Sequence, residues 1–97
     1  MPHGRKLLSN PMNISKMEQR VLHELARGGV IRHRRDDAGQ IVEALCFTHE
    51  GHILTDCTLA LFQRLRRRRL IESRGGAPYR ISLIGRRSVR AQSDNRS

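Results

Sequence analysis

The stretch from Leu59 to Ser82 reads LALFQRLRRRRLIESRGGAPYRIS. Its first part has helical spacing. Leu61, Phe62 and Leu65 fall on one face with Thr58 beside them, while Ala60, Gln63, Arg64 and Arg67 fall on the opposite face. Arg66, Arg68 and Arg69 fan out around the last turn, where cations also complement the helix dipole. Thr55 or Asp56 is placed to cap the start. Leu70 and Ile71 then begin a strand, Arg74-Gly75-Gly76-Ala77 turns it, and Pro78-Tyr79-Arg80-Ile81 returns it.

The segments on either side have clear elements of their own. Upstream, ISKMEQRVLHELARGG opens with Ser15 and Glu18 at capping-box spacing, so that hydroxyl and carboxylate each satisfy an orphan backbone N–H. Met17, Val21, Leu22 and Leu25 are expected on its core face, and Gly28-Gly29 ends it because glycine accepts the left-handed terminal conformation. Two β-leaning runs, 30 to 34 and 40 to 47, flank Asp36-Asp37-Ala38-Gly39 and predict a β-hairpin with Arg32 and Arg34 on a wet face. THEGHILT is expected to be a connection with a helical turn. Downstream, Ser82 caps a last short helix through Gly85 to about Ala91.

The expected fold is therefore α+β, in the order α-β-β-α-β-β-α. A helix followed at once by a hairpin with a Gly-rich basic tip is the layout of a small winged helix-turn-helix-like domain. Residues 12 to 91 form that domain; residues 1 to 11 and 92 to 97 read as flexible tails. Pro2, Gly4 and Pro11 interrupt the first tail, and Met12 is a candidate start of translation.

Composition narrows the function. The chain has 97 residues, enough for one domain, and its 37% hydrophobic content supports one modest core. Nineteen Lys and Arg stand against nine Asp and Glu, a formal +10. Only Lys6 and Lys16 are lysines, so arginine carries the charge. Such a chain is built to meet a polyanion: DNA, RNA or an acidic protein face. A membrane partner is not expected, since no apolar run approaches the ~20 residues needed to span one. The N-terminus has no apolar core of a secretory signal. Phe47, Phe62 and Tyr79 are the only aromatics, too few for a platform that stacks single-stranded bases. Cys46 and Cys57 lack CxxC spacing and read as small buried hydrophobes of a reducing compartment, so a cytoplasmic location is expected.

The candidate nucleic-acid-binding residues are Ala60, Gln63, Arg64, Arg66, Arg67, Arg68 and Arg69 on the helix, with Arg74 and Arg80 on the hairpin. Short and polar side chains let a helix enter a major groove, where Gln and Arg bond base edges bidentately. Hairpin arginines would meet phosphates. The competing reading is a solvated basic face, and for Arg32, Arg34, Arg86 and Arg87 it has equal weight. Tyr79 reads as a core or strand residue. Cys46, His49, His52 and Cys57 are atoms zinc would accept, but their spacing matches no zinc-finger pattern, and no metal is assigned. No phosphate-binding glycine loop is present, and neither cysteine has an evident histidine partner. The chain is expected to be neither an enzyme nor a cofactor carrier.

Taken together, MNISKMEQRVLHELARGG, LTDCTLALFQRLRRRRLI, GGAPYRI and VRAQSDNR resemble the YjhX family of small bacterial proteins, from Met12 to about Arg96. The resemblance implies the toxin of a toxin–antitoxin pair. It implies inhibition of bacterial DNA topoisomerase I, through the enzyme or its DNA complex, and neutralisation by an acetyltransferase-like antitoxin. It carries over no contact residues. The alternative is a winged-helix regulator that acts through DNA alone.

Overall fold

Helix α1 (Lys16–Ala26) forms where the capping box predicts. Ser15 Oγ accepts from the Glu18 backbone N–H at 3.1 Å, and Glu18 Oε1 accepts from the Ser15 N–H at 2.9 Å. The computed structural model describes residues 14–94 and the side chains as far as Val89. The expected tail of residues 1 to 11, the candidate start at Met12 and the last three residues lie outside this range. The apolar stripe of α1 differs from expectation by one position. Glu18, Val21, Leu22 and Leu25 are buried, an i, i+3, i+4, i+7 series, and Met17 is 49% exposed. On a helix advancing ~100° per residue, Met17 falls at the rim of that stripe and not at its centre, which leaves it open to solvent.

The Gly28 N–H bonds the Leu25 carbonyl and the Gly29 N–H bonds the Glu24 carbonyl, with Gly28 at φ 112°. This is the paired closure of a Schellman motif, with glycine at the left-handed position. Strand β1 (Val30–Arg35) then pairs antiparallel with β2 (Ile41–Phe47), close to the expected hairpin. Asp36 Oδ1 accepts from the N–H groups of Ala38 and Gln40 and folds the turn. Ile31, Ala44 and Cys46 face the core, while Arg32, Arg34, Glu43 and Leu45 face outward.

THEGHILT does not form a helical turn. Its last residues make a short strand, β3 (Ile53–Leu54), paired with Cys46 and Phe47 of β2. The Thr48 N–H bonds the His52 carbonyl at 2.7 Å and Thr48 Oγ1 accepts from the His52 N–H, which closes a second hairpin. The order is thus α-β-β-β-α-β-β-α, one strand more than expected.

Helix α2 (Leu59–Arg67) starts later than Thr55 or Asp56. Thr58 is its cap, accepting from the Leu61 N–H at 3.1 Å. Asp56 instead pairs with Arg20 of α1 at 3.1 Å. Leu61, Phe62 and Leu65 are buried as the spacing predicts. The helix ends in another Schellman motif: Arg69 N–H to Arg66 carbonyl and Leu70 N–H to Leu65 carbonyl. Here the left-handed residue is Arg69, at φ 60°, and it is the one non-glycine residue with positive φ among those described.

A third hairpin, after α2, joins β4 (Ile71–Glu72) to β5 (Arg80–Ile81), with Gly75 and Gly76 at positive φ in its tip. Ile31 and Tyr79 exchange both backbone hydrogen bonds, so a bridge links the three-stranded sheet to this two-stranded one. Helix α3 (Leu83–Asp94) extends three residues past the expected Ala91. Ser82 Oγ accepts from the Gly85 N–H, as expected of a cap, and donates to the Arg69 carbonyl at 2.7 Å. α3 packs against α1 and β5.

The core lies between α1, α2 and the inner face of the sheets. Phe62, Leu22, Leu25, Ile31 and Leu65 are its largest fully buried side chains, each worth roughly 1.5–3 kcal/mol of burial. Tyr79 packs edge-on to Phe62 at 5.1 Å and belongs to this core. No helix among the described residues is long and apolar enough to cross a membrane.

Candidate nucleic-acid interface

The arginines at the end of α2 do not share one setting. Two of its members turn inward toward α1. Arg64 Nε donates to Glu18 Oε2 at 3.1 Å, and an Arg68 guanidinium nitrogen lies 3.5 Å from Glu18 Oε1. Glu18 is only 2% exposed, and it receives both cations and the Ser15 N–H. Burial pushes its carboxyl up. The Ser15 backbone bond, the Arg64 hydrogen bond and the Arg68 charge outweigh that and hold it below the ordinary 4.5. Arg64 and Arg68 therefore fasten α2 to the start of α1 before they do anything else.

Arg66 has a different setting. Its guanidinium sits 5.8 Å from the ring centres of both Phe62 and Tyr79, and it donates to Gln63 Oε1 at 3.3 Å. Stacking on the edge of the core holds the stem while leaving the residue exposed. Gln63 is half-buried and Ala60 exposed on the same helix. Arg67 and Arg69 are exposed and make no ion pair among the described residues. Their surroundings allow charge-assisted bonds to a phosphate or a carboxylate.

The hairpin carries the remaining two candidates. Arg74 lies 3.4 Å from Glu72, and Arg80 stands opposite Glu72 in the β4–β5 register. Together with Arg86 of α3 they surround a cavity of about 260 Å³ floored by Leu25 and Pro78. Three cations against one carboxylate leave that pocket positive. Arg86 thus stands beside the candidates Arg74 and Arg80, a placement that needs the packing of α3 and has no signal in local spacing. Glu18 was visible only as half of a capping box; its partners are 46 and 50 positions away.

The outer face of the first sheet spends its arginines locally. Arg34 pairs with Glu43 at 3.0 Å, Arg35 donates to the Gly39 carbonyl, and Arg32 lies over the Phe47 ring. On the inner side, His33 packs edge-on to Tyr79 at 5.1 Å, and its buried Nδ1 has no hydrogen-bond partner among the described residues. Burial, then the charges of Arg35 and Arg66, keep it below the ordinary 6.5, so it stays neutral at neutral pH.

Cys46 and Cys57 are both buried as free thiols and contact one another where β2 meets the approach to α2. The hydrogen bond to Cys57 and burial drive the Cys46 thiol far above its usual range, which keeps it protonated. His49 and His52 instead flank Glu50, at 3.9 and 3.8 Å. Among the described residues no group of three or more His, Cys, Asp and Glu is placed to hold a metal ion.

Comparison with known proteins adds to this geometry. Residues 12–96 match a family described as "putative toxin of bacterial toxin-antitoxin pair". A UPF0386 protein of Beijerinckia indica is 66% identical over 85 residues, covering 88% of this chain and 100% of that protein. A UPF0386 protein of Brucella anthropi is 68% identical over the same coverage, and one of Caulobacter vibrioides is 58% identical over 88% of this chain and 93% of its own. No solved structure matches the chain.

Proposed function

The chain belongs to the YjhX toxin family, described as "putative toxin of bacterial toxin-antitoxin pair", and on that premise we propose that it inhibits DNA topoisomerase I by binding the enzyme or its DNA complex. In this reading it is a binding inhibitor and not an enzyme. The observation that carries it is the set of outward cations at the end of α2 and on the following hairpin: Arg66, Arg67, Arg69, Arg74 and Arg80. In winged-helix fashion, the helix meets the groove and the Gly-rich hairpin meets the flanking phosphates. Arg64 and Arg68 hold the helix in position from behind. A net charge of +10 draws the protein to the duplex, where the enzyme also works.

Plasmid relaxation by topoisomerase I, with the protein titrated in at several DNA concentrations, tests the proposal. Inhibition that follows the protein-to-enzyme ratio and survives excess DNA is the expected result. Rescue in proportion to added DNA would replace it with the simpler reading, a DNA-binding protein that covers the substrate. An absence of inhibition at any ratio would remove topoisomerase I as the target.

A further inference from the structure

Arg66 and Arg69 also line a groove of about 440 Å³ between the end of α2 and the first turn of α3. Its other walls are Ile71, Glu72, Leu83 and Ile84. Two features of this groove are not explained by phosphate binding. Leu83 is 63% exposed and Ile84 41%, side by side at the start of α3. Leu83 is the most exposed large apolar residue among those described. A phosphate backbone offers these side chains no apolar cover, so the groove is matched to a ligand carrying both carboxylates and aliphatic groups.

We propose that this groove is the docking site for an acidic, aliphatic segment of the antitoxin. The inference rests on the toxin reading above for the existence of that partner, and on the groove itself for its chemistry. Arg66 and Arg69 give two cations against one carboxylate, and Glu72 is already beside Arg74. A second copy of this chain is a poor occupant, because a surface with a +10 excess would bring arginines against arginines. The walls are fixed in advance. Ser82 Oγ ties the Arg69 carbonyl to the cap of α3, and the Ser82 N–H bonds the Leu70 carbonyl at 3.0 Å. A preformed groove lowers the ordering cost of docking. Since Arg66 and Arg69 also belong to the nucleic-acid interface, the segment and the duplex exclude each other. Neutralisation is then competition for two arginines.

Fluorescence anisotropy with two synthetic peptides of equal negative charge tests this: one of alternating Glu and Leu, one of Glu alone with Gly spacers. A labelled duplex is measured in parallel. The Glu/Leu peptide is expected to bind at least about tenfold more tightly, a difference of ~1.4 kcal/mol, and to displace the duplex. Leu83→Ser is expected to erase that advantage while leaving duplex affinity within about twofold, as its exposed position predicts little cost to folding. Equal binding of the two peptides, or an advantage that survives Leu83→Ser, overturns the docking site. Selective peptide binding by a protein that fails to hold the duplex would support the groove and remove the nucleic-acid reading instead.

Discussion

Arg64 Nε donates to Glu18 Oε2 across 3.1 Å, although the residues are 46 positions apart. The bond joins the first turn of α1 to the middle of α2, and Arg68 adds a second cation to the same carboxylate. Removing one partner of a buried pair leaves the other uncompensated, which costs ~3–5 kcal/mol when both are desolvated. Arg64 and Arg68 keep 45% and 31% of their side-chain exposure, so water compensates them in part. Glu18→Ala is expected to cost about 2 kcal/mol, read as a lower urea midpoint at unchanged slope. Arg67→Ala, which breaks no ion pair among the described residues, should stay within about 0.5 kcal/mol. A triple alanine variant at 64, 67 and 68 would therefore lose stability along with charge.

The same carboxylate sets an acid limit. Glu18 titrates below its ordinary 4.5 in the folded chain, so its contribution is full above that value and is lost as pH falls through the folded value. His33 titrates below its ordinary 6.5, so the unfolded chain takes up that proton first and stability also declines as pH drops below 6.5. Urea midpoints across pH should fall in two stages. His33→Phe should flatten the upper stage and Glu18→Gln the lower; a single stage unaffected by either variant would contradict the placement of both groups.

Gly85 inverts a common rule. Glycine within a helix is ordinarily improved by alanine, by ~1 kcal/mol. A Cβ at Gly85, however, would stand 2.2 Å from the Leu70 carbonyl oxygen and 2.7 Å from Ile81 Cγ1. Backbone cannot yield as a flexible side-chain tip does, and overpacking costs ~1–3 kcal/mol. Gly85→Ala is expected to lower Tm by several degrees, measurable by thermal unfolding. A rise would mean that α3 does not approach the end of α2 so closely.

These contacts also show which parts of the molecule could be read from the chain. The capping box at Ser15 and Glu18, the Asp36 turn and the core triad Leu61, Phe62 and Leu65 all depend on neighbours within a few residues, so spacing disclosed them. The two-residue β3 has no such local signal, because its identity comes from pairing with Cys46 and Phe47, not from its own length or period. The role of Glu18 and the inward turn of Arg64 and Arg68 depend on the approach of two helices, which no local pattern encodes. For the same reason the arginine block read as a single basic face, although packing divides it into anchoring and outward members.

Arg69 sets the backbone at the end of α2 against the proposed interface. At the end of α1 the left-handed Schellman position is Gly28; at the end of α2 the equivalent position is an arginine at φ 60°. A Cβ there crowds the carbonyl and costs roughly 1–2 kcal/mol, and glycine is the residue that relieves it. Arg69→Gly should therefore stabilise the protein by about 1 kcal/mol while removing an outward cation from the interface. Duplex affinity should fall, and the slope of log K against log salt should shrink by about 0.9, the value for one lost phosphate contact. Arg69→Lys keeps both charge and strain and should resemble the parent in each assay. If Arg69→Gly gains stability with affinity and slope unchanged, the strain serves some purpose other than contact with the duplex. The assignment of Arg69 to that interface would then fall, while Arg66 and Arg67 remain to be tested by the same slope.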